Sequence, residues 1–208
     1  MSDPSNGDTV SVDISIILPF RNSAQTISRT LDTLLQQQTH PSVELLLVDD
    51  HSSDDTPQLA SAHAIAQRWP LRHISNEAGG LANAYNLGWR AAKGEVVITM
   101  HTDCYLLSDV ALETMYVAFT DQDVVASQSW TAVPEDAWKD MDFWDKVANA
   151  PYVGREGFGM GGKFDAVRRS TLERIGGWDS ETFFSAGEDV DIGVRLKEAG
   201  KLATTDVR

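Results

Sequence analysis

Three places in this 208-residue sequence put carboxylates where they could do chemistry. The apolar run Val96 to Met100 ends in His101-Thr-Asp103, and the run Val43 to Val48 ends in Asp49-Asp50. The third is Glu188-Asp189-x-Asp191, at the head of a helical stretch. In an open α/β sheet, ligands lie outside the carboxyl ends of parallel strands, so acids that follow two such strands can converge on one site. Asp189 is followed at helical spacing by Ile192 and Leu196, which places it on their inward face. There it could act as a general base. Each acid also has a local reading. Asp103 could cap a turn, and the loop from Asp49 to Thr56, with four Asp and two Ser, could make Asx turns and a helix cap. Glu188, Asp189 and Asp191 could simply offset a helix dipole.

Gly79-Gly80 ahead of a helical pattern could bring backbone N–H groups to a phosphate, or merely turn the chain. No Gly-x-Gly-x-x-Gly follows the first strand and no Gly-Lys-Ser/Thr loop is present, so dinucleotide and Walker-type sites lose support. The five histidines are scattered, with no zinc spacing. His40, His63 and His73 read as surface or packing residues, and His51 reaches a site only by following Asp50. Cys104 has no evident His or Lys partner and reads as a small buried residue and not a nucleophile. Trp130, Trp138, Phe143 and Trp144 could wall a sugar ring or lipid, but core packing is the expectation.

The elements that position these residues alternate. Ile14 to Leu18 reads as a strand stopped by Pro19, which cannot donate to a ladder. Ser23 can cap a helix whose face is Ile27, Leu31, Leu34 and Leu35. The strand from Val43 follows, then a helix from Thr56 with Leu59, Ala62, Ala66 and Trp69 at helical spacing. Further on come a short strand at Leu71 to Ile74, a helix opened by Gly79-Gly80, and the buried strand Val96 to Met100. A helix marked by Leu112, Met115, Tyr116 and Phe119 and a strand at Val124 to Ser127 complete the regular part. Such alternation means βαβ units and a mainly parallel sheet. Beyond Trp130 the pattern predicts a helix from Trp138 to Val147, a glycine-rich loop from Gly154 to Gly162, and a strand from Lys163 to Val167. Helices at Ser170 to Ile175 and Glu188 to Ala199 and a strand at Lys201 to Val207 end the chain.

Apolar content of 42% and charged content of 23% are those of an ordinary globular domain. The formal net charge of −14 argues against a surface for DNA or RNA. A single cysteine excludes an internal disulfide and fits a reducing compartment. Residues 1–12 are polar and acidic and read as a loose arm without signal-peptide character.

Taken in order, seven segments resemble the family 2 glycosyltransferases of the GT-A fold. They are Ser15 to Asn22 (SIILPFRN), Val48 to Thr56 (VDDHSSDDT), Gly79 to Gly88 (GGLANAYNLG), Gly94 to Asp103 (GEVVITMHTD), Phe164 to Arg169 (FDAVRR), Gly176 to Asp179 (GGWD) and Gly187 to Leu196 (GEDVDIGVRL). The resemblance implies a three-layer α/β sandwich over residues 13–208, with a nucleotide-sugar-binding half at 13–105 and an acceptor and catalytic-base half at 106–208. It also implies a nucleotide-diphosphate sugar donor, UDP- or GDP-linked, a divalent metal (Mg²⁺ or Mn²⁺), and inversion at the anomeric carbon. Carried over by position, Pro19, Phe20, Arg21 and Asn22 line the nucleoside pocket. Asp49 and Asp50 form the family's acidic pair, with Asp50 the contact to base or ribose. Ser52, Gly79, Gly80, Asn86, Thr102 and Glu188 belong to the donor site. Asp103 matches the last carboxylate of the Asp-x-Asp metal motif and Asp189 the base that deprotonates the acceptor.

Two departures follow from the same comparison. His101 stands where the motif has its first carboxylate, so the metal pair becomes His101 and Asp103. A neutral imidazole can still bind Mn²⁺, with one negative charge fewer for Mg²⁺. The chain also stops about where the family continues toward its acceptor-binding segment, which suggests a trimmed catalytic domain. The expectation is a cytoplasmic inverting glycosyltransferase acting on a saccharide hydroxyl or a lipid-phosphate acceptor, with peripheral association at the cytoplasmic face of a membrane left open. The competing readings are a nucleotide-sugar-binding domain without turnover and, with less support, a sugar nucleotidyltransferase.

Overall fold

The computed structural model describes residues 11–130, 133, 135–150, 160–183 and 186–206. Most of the expected N-terminal arm and most of the glycine-rich stretch from Gly154 lie outside the described residues. One seven-stranded sheet organises what is described. Its strands are β1 (Ile14–Phe20), β2 (Val43–Asp49), β3 (Leu71–Ser75), β4 (Val96–Met100), β5 (Val124–Gln128), β6 (Phe164–Arg168) and β7 (Lys201–Thr204), in the spatial order β3-β2-β1-β4-β6-β5-β7. All pairings are parallel except those of β6, which runs antiparallel to both β4 and β5.

Side chains alternate across the pleat, so each strand feeds two cores. Ile14, Ile16, Leu18, Leu45, Leu47, Ile98 and Met100 pack beneath α1 (Ile27–Leu35), α2 (Thr56–Ala62), α3 (Ile65–Arg68) and α5 (Ala111–Val117). Ile17, Leu46, Val48, Val97 and Val167 pack beneath α4 (Leu81–Ala91), α8 (Arg169–Ile175) and α9 (Glu188–Ala199). These are the three layers of the expected α/β sandwich. Gly88 lets α4 sit close on β1, since a Cβ there would lie 2.5 Å from the Ile17 side chain.

Three local expectations are corrected. Pro19 does not stop β1, which runs on to Phe20. The N–H of Val96 donates to the Asp13 carbonyl and the N–H of Asp50 donates to the Phe20 carbonyl, so odd residues of β1 face β4 and even ones face β2. Pro19 therefore faces β4, whose pairing with β1 has already ended at Ile17–Thr99. No ladder bond is lost. The helix expected to run from Thr56 to Trp69 breaks at His63, whose ψ is 144°. The break shifts the inward face to Ala60 and Ile65 and leaves Leu59, Ala62 and Ala66 exposed. Ser23 does not cap α1 with its side chain; its carbonyl receives the Thr26 and Ile27 N–H groups, and the helix starts at Ile27.

The helix expected from Trp138 to Val147 is two, α6 (Glu135–Asp140) and α7 (Phe143–Asn149), with Asp142 capping the second through the Asp145 N–H. Phe143 and Trp144 are not core residues. They pack edge to face on each other and are 69% and 74% exposed. Among the described residues, no helix is long and apolar enough to cross a membrane.

Candidate active site

The carboxyl ends of β1, β2 and β4 open on one side of the sheet, and there lies a cleft of about 640 Å³. Of the residues expected to bind a donor, Pro19, Phe20, Arg21, Asn22, Asp50, His101, Thr102 and Asp103 line it, together with Ser23, Asp54 and Leu81. Convergence of acids that are far apart in sequence is thus achieved by strand order: β1 lies between β2 and β4.

Behind this lining, a set of local bonds shapes the rim. Asn22 adopts φ 50°, a left-handed conformation that an Asn tolerates. Its N–H donates to Ser52 Oγ at 3.1 Å, and its Oδ1 accepts from the Ser53 N–H at 2.8 Å. Asp49 Oδ1 accepts from the Ser52 N–H, three residues on, at 2.9 Å, and the Asx turn of this loop is instead Asp54 Oδ1 with the Thr56 N–H. Asp54 accepts from the Ala24 and Thr56 N–H groups and from Thr56 Oγ1, and these bonds hold its carboxyl below the usual range. Asp50 Oδ1 accepts from Asn76 Nδ2 at 2.8 Å and from the Gly80 N–H at 3.1 Å. It thereby anchors the Gly79-Gly80 turn, in which both glycines have positive φ. Asp49, Ser52, Gly79 and Gly80 thus support the cleft from behind and are not among the residues that line it.

Asn86 is not at the cleft either. It is buried on α4, with its amide spent on Trp178 and on the Trp89 indole. Thr102 donates to Ser23 Oγ at 2.9 Å while its carbonyl accepts from Thr30 Oγ1. Cys104 has its thiol pushed up to about 12, first by burial and then by Asp103, which fits a packing residue and not a nucleophile. His51 lies 3.8 Å from Asp50 Oδ1 on the rim.

His101 and Asp103 stand side by side in the cleft lining, with Nδ1 and Oδ1 4.0 Å apart. Asp103 is 70% exposed and His101 27%. Burial pushes the imidazole below its ordinary pKa, with Asp103 opposing, so it is neutral at neutral pH. Two neighbouring ligands of an octahedral ion with bonds of about 2.1 Å stand about 3 Å apart, so a turn of the exposed Asp103 side chain would bring the pair, now 4.0 Å apart, onto one ion. Among the described residues, no three His, Cys, Asp or Glu side chains gather as a metal cluster. The pair therefore fits an ion that takes its remaining ligands from phosphate and water, as Mg²⁺ and Mn²⁺ commonly do.

Behind His101 a narrow crevice is lined by Tyr85, Thr99, Gly161, Gly162, Asp165, Glu188 and Asp189. Asp189 is partly buried in the first turn of α9, which brings Glu188 and Asp189 to the same wall. Asp165, which residue reasoning passed over, is 3% exposed. Its Oδ2 accepts from the Gly161 and Gly162 N–H groups at 2.8 and 2.7 Å. Desolvation raises its pKa to about 7, against those two bonds and with help from the Asp189 charge. The available signal was an acid inside the apolar strand Phe164-Asp-Ala-Val167.

Residues 15–176 match the family model described as Glycosyl transferase family 2. The chain belongs to that family. It is 32% identical over 115 residues to Glycosyltransferase GlyG of Streptococcus pneumoniae, a match covering 54% of this chain and 37% of GlyG. It is 26% identical over 196 residues to Beta-monoglucosyldiacylglycerol synthase of Trichormus variabilis, covering 88% of this chain and 41% of the synthase. The chain thus spans well under half the length of these curated relatives. Among solved structures it is similar to the mannosyltransferase PcManGT from Pyrobaculum calidifontis in complex with GDP-Man and Mn²⁺. That match has a TM-score of 0.71 and 23% identity, over 95% of this chain and 56% of PcManGT. At that identity the likeness establishes the fold, which is the GT-A fold expected from the sequence.

Proposed function

We propose that this family 2 chain transfers a sugar, with inversion, from a UDP- or GDP-linked donor to a saccharide hydroxyl or lipid-phosphate acceptor. The observation that carries the reading is the adjacency of two openings. The donor-sized cleft is lined by His101 and Asp103, and the crevice, whose Tyr85 hydroxyl lies 2.8 Å from His101, presents Asp189. A donor in the cleft has its nucleoside between the Pro19 to Asn22 edge and Asp50, whose second oxygen is free of the bonds that Oδ1 makes to Asn76 and Gly80. Its diphosphate then reaches His101 and Asp103. A divalent metal held there would neutralise the charge that builds on the leaving diphosphate.

Asp189 takes the proton from the acceptor oxygen as that oxygen attacks the anomeric carbon, opposite the departing diphosphate. One bond forms as the other breaks, so configuration inverts. The N-terminal half, residues 13–105, is read as the donor half and the remainder as the acceptor half. The substitution D189N tests the reading: transfer should be lost while UDP or GDP affinity changes little. Sustained turnover in D189N would remove Asp189 as the base.

His101 in place of a carboxylate favours one second reading, a domain that binds nucleotide sugar without turning it over. Calorimetry with UDP and GDP, with and without Mn²⁺, beside a donor-hydrolysis assay, separates the two. Metal-dependent binding without any hydrolysis or transfer would select the second.

A further inference from the structure

We infer that Tyr85 is a positioning residue that holds His101 in the Nε2–H tautomer, leaving the Nδ1 lone pair open on the side of Asp103. The inference rests on the reading that His101 and Asp103 hold a divalent cation. A neutral imidazole has one N–H and one lone pair, and the partner of one nitrogen decides the state of the other. Tyr85 Oη lies 2.8 Å from His101 Nε2 and 3.4 Å from the Gly162 carbonyl, a long contact for a hydroxyl donor. The carbonyl can only accept, and the hydroxyl has a single proton. With that proton turned to Nε2, Oη makes the 2.8 Å bond alone; with it turned to Gly162, Oη also accepts from Nε2–H, both contacts are bonded, and Nε2 carries the hydrogen. Nδ1 is then the unprotonated nitrogen, 4.0 Å from Asp103 Oδ1. The opposite tautomer would strip the Gly162 carbonyl of its donor and give an Nδ1–H too far from Asp103 for a hydrogen bond.

The parts of this relay are fixed from behind. The Tyr85 ring is 2% exposed and packs on Trp178 with centroids 4.9 Å apart. Gly162 has φ +67°, and a Cβ there would fall 2.3 Å from Tyr85 Oη, so the close approach requires glycine. The peptide ahead of the carbonyl is held by Asp165, which takes the N–H of both Gly161 and Gly162. A histidine that donates its second ring N–H to a fixed acceptor is the arrangement that orients metal-binding imidazoles and sets their tautomer. The hydroxyl of Tyr85 thus equips an imidazole to stand in for a carboxylate.

Nitrogen-15 NMR of histidine-labelled protein, without metal, reads the tautomer directly, with H101A assigning the signal. The Nε2–H form is expected, and a predominant Nδ1–H form would overturn the inference. The conservative Y85F keeps the ring and removes only the hydroxyl. It should lose the tautomer preference and weaken Mn²⁺ binding, measured by calorimetry with GDP or UDP present, by about tenfold or more. If H101A weakens Mn²⁺ binding and Y85F does not, the positioning role falls. If H101A leaves Mn²⁺ binding unchanged, the metal assignment falls instead, and the tautomer of the unaltered protein still decides the role of Tyr85.

Discussion

The side-chain amide of Asn86 closes both backbone polar groups of Trp178: Nδ2 donates to the carbonyl at 2.7 Å, and Oδ1 accepts from the N–H at 3.0 Å. The same Oδ1 accepts from Trp89 Nε1 at 2.9 Å. The turn leading to Trp178 fits this embrace, because a Cβ on Gly177 would lie 2.4 Å from Asn86 Oδ1. Asn86 thus ties α4 to the segment between α8 and α9. N86A leaves three buried polar groups without partners and should cost about 2–4 kcal/mol, read by urea unfolding. Loss of donor affinity at unchanged stability would return Asn86 to the binding site.

Asp165 should make stability depend on pH. Its native pKa of about 7 lies above the ordinary 3.8, so between those values the folded chain binds a proton that the unfolded chain has released. Stability from this group is therefore full below about pH 4 and is lost as pH rises through about 7. The whole span is on the order of 4 kcal/mol as an upper limit. D165N retains an acceptor oxygen and cannot ionise, so its unfolding free energy should gain on the parent between pH 5 and pH 8. Parallel profiles would show that Asp165 stays charged.

The metal choice follows from the donor atoms in the cleft lining. H101D replaces a borderline nitrogen with hard oxygen, so the ratio of Mg²⁺ to Mn²⁺ affinity in the presence of GDP or UDP should rise. EDTA and D103N should each weaken nucleotide binding in the parent. Affinity indifferent to metal and to D103N would leave the cleft a metal-free nucleotide site.

Gly94 enters β4 against the backbone of β1. A Cβ there would lie 2.6 Å from the Ser15 nitrogen and 2.8 Å from the Ile14 carbonyl carbon. Backbone cannot swing aside as a side chain can, so G94A should destabilise by about 3 kcal/mol. It should also disturb the bond from the Gly94 N–H to Ser15 Oγ, which sits on the buried Glu44 carboxylate. A melting temperature within a degree of the parent would show that the two strands can part there at little cost.

Much of the frame was legible because its signals are local. The run Val96 to Met100 is mostly β-branched or apolar, and α9 is bounded by Gly187 and Gly200, so these elements occupy the residues expected of them. Convergence of Asp50 with Asp103 followed from parallel strand ends. What escaped was relational. Nothing in Phe164 to Arg168 tells direction, so the reversal of β6 is settled only by its neighbours. The break at His63 has no Gly or Pro to announce it. Asn86 and Tyr85 are one residue apart on α4, yet one turns to Trp178 and the other to His101. Asp165 sits in a strand where apolar neighbours hide it, and its consequence depends on two glycine N–H groups arriving from a loop.

The reversed strand has a consequence of its own. Met100 at the end of β4 pairs with Phe164 at the start of β6, so Gly161 and Gly162 pass the crevice as the chain enters the sheet, not as it leaves. The crevice wall at Gly161 and Gly162 is thus anchored through Asp165 of the reversed strand, while the opposite wall, made of parallel strand endings, is anchored in the core.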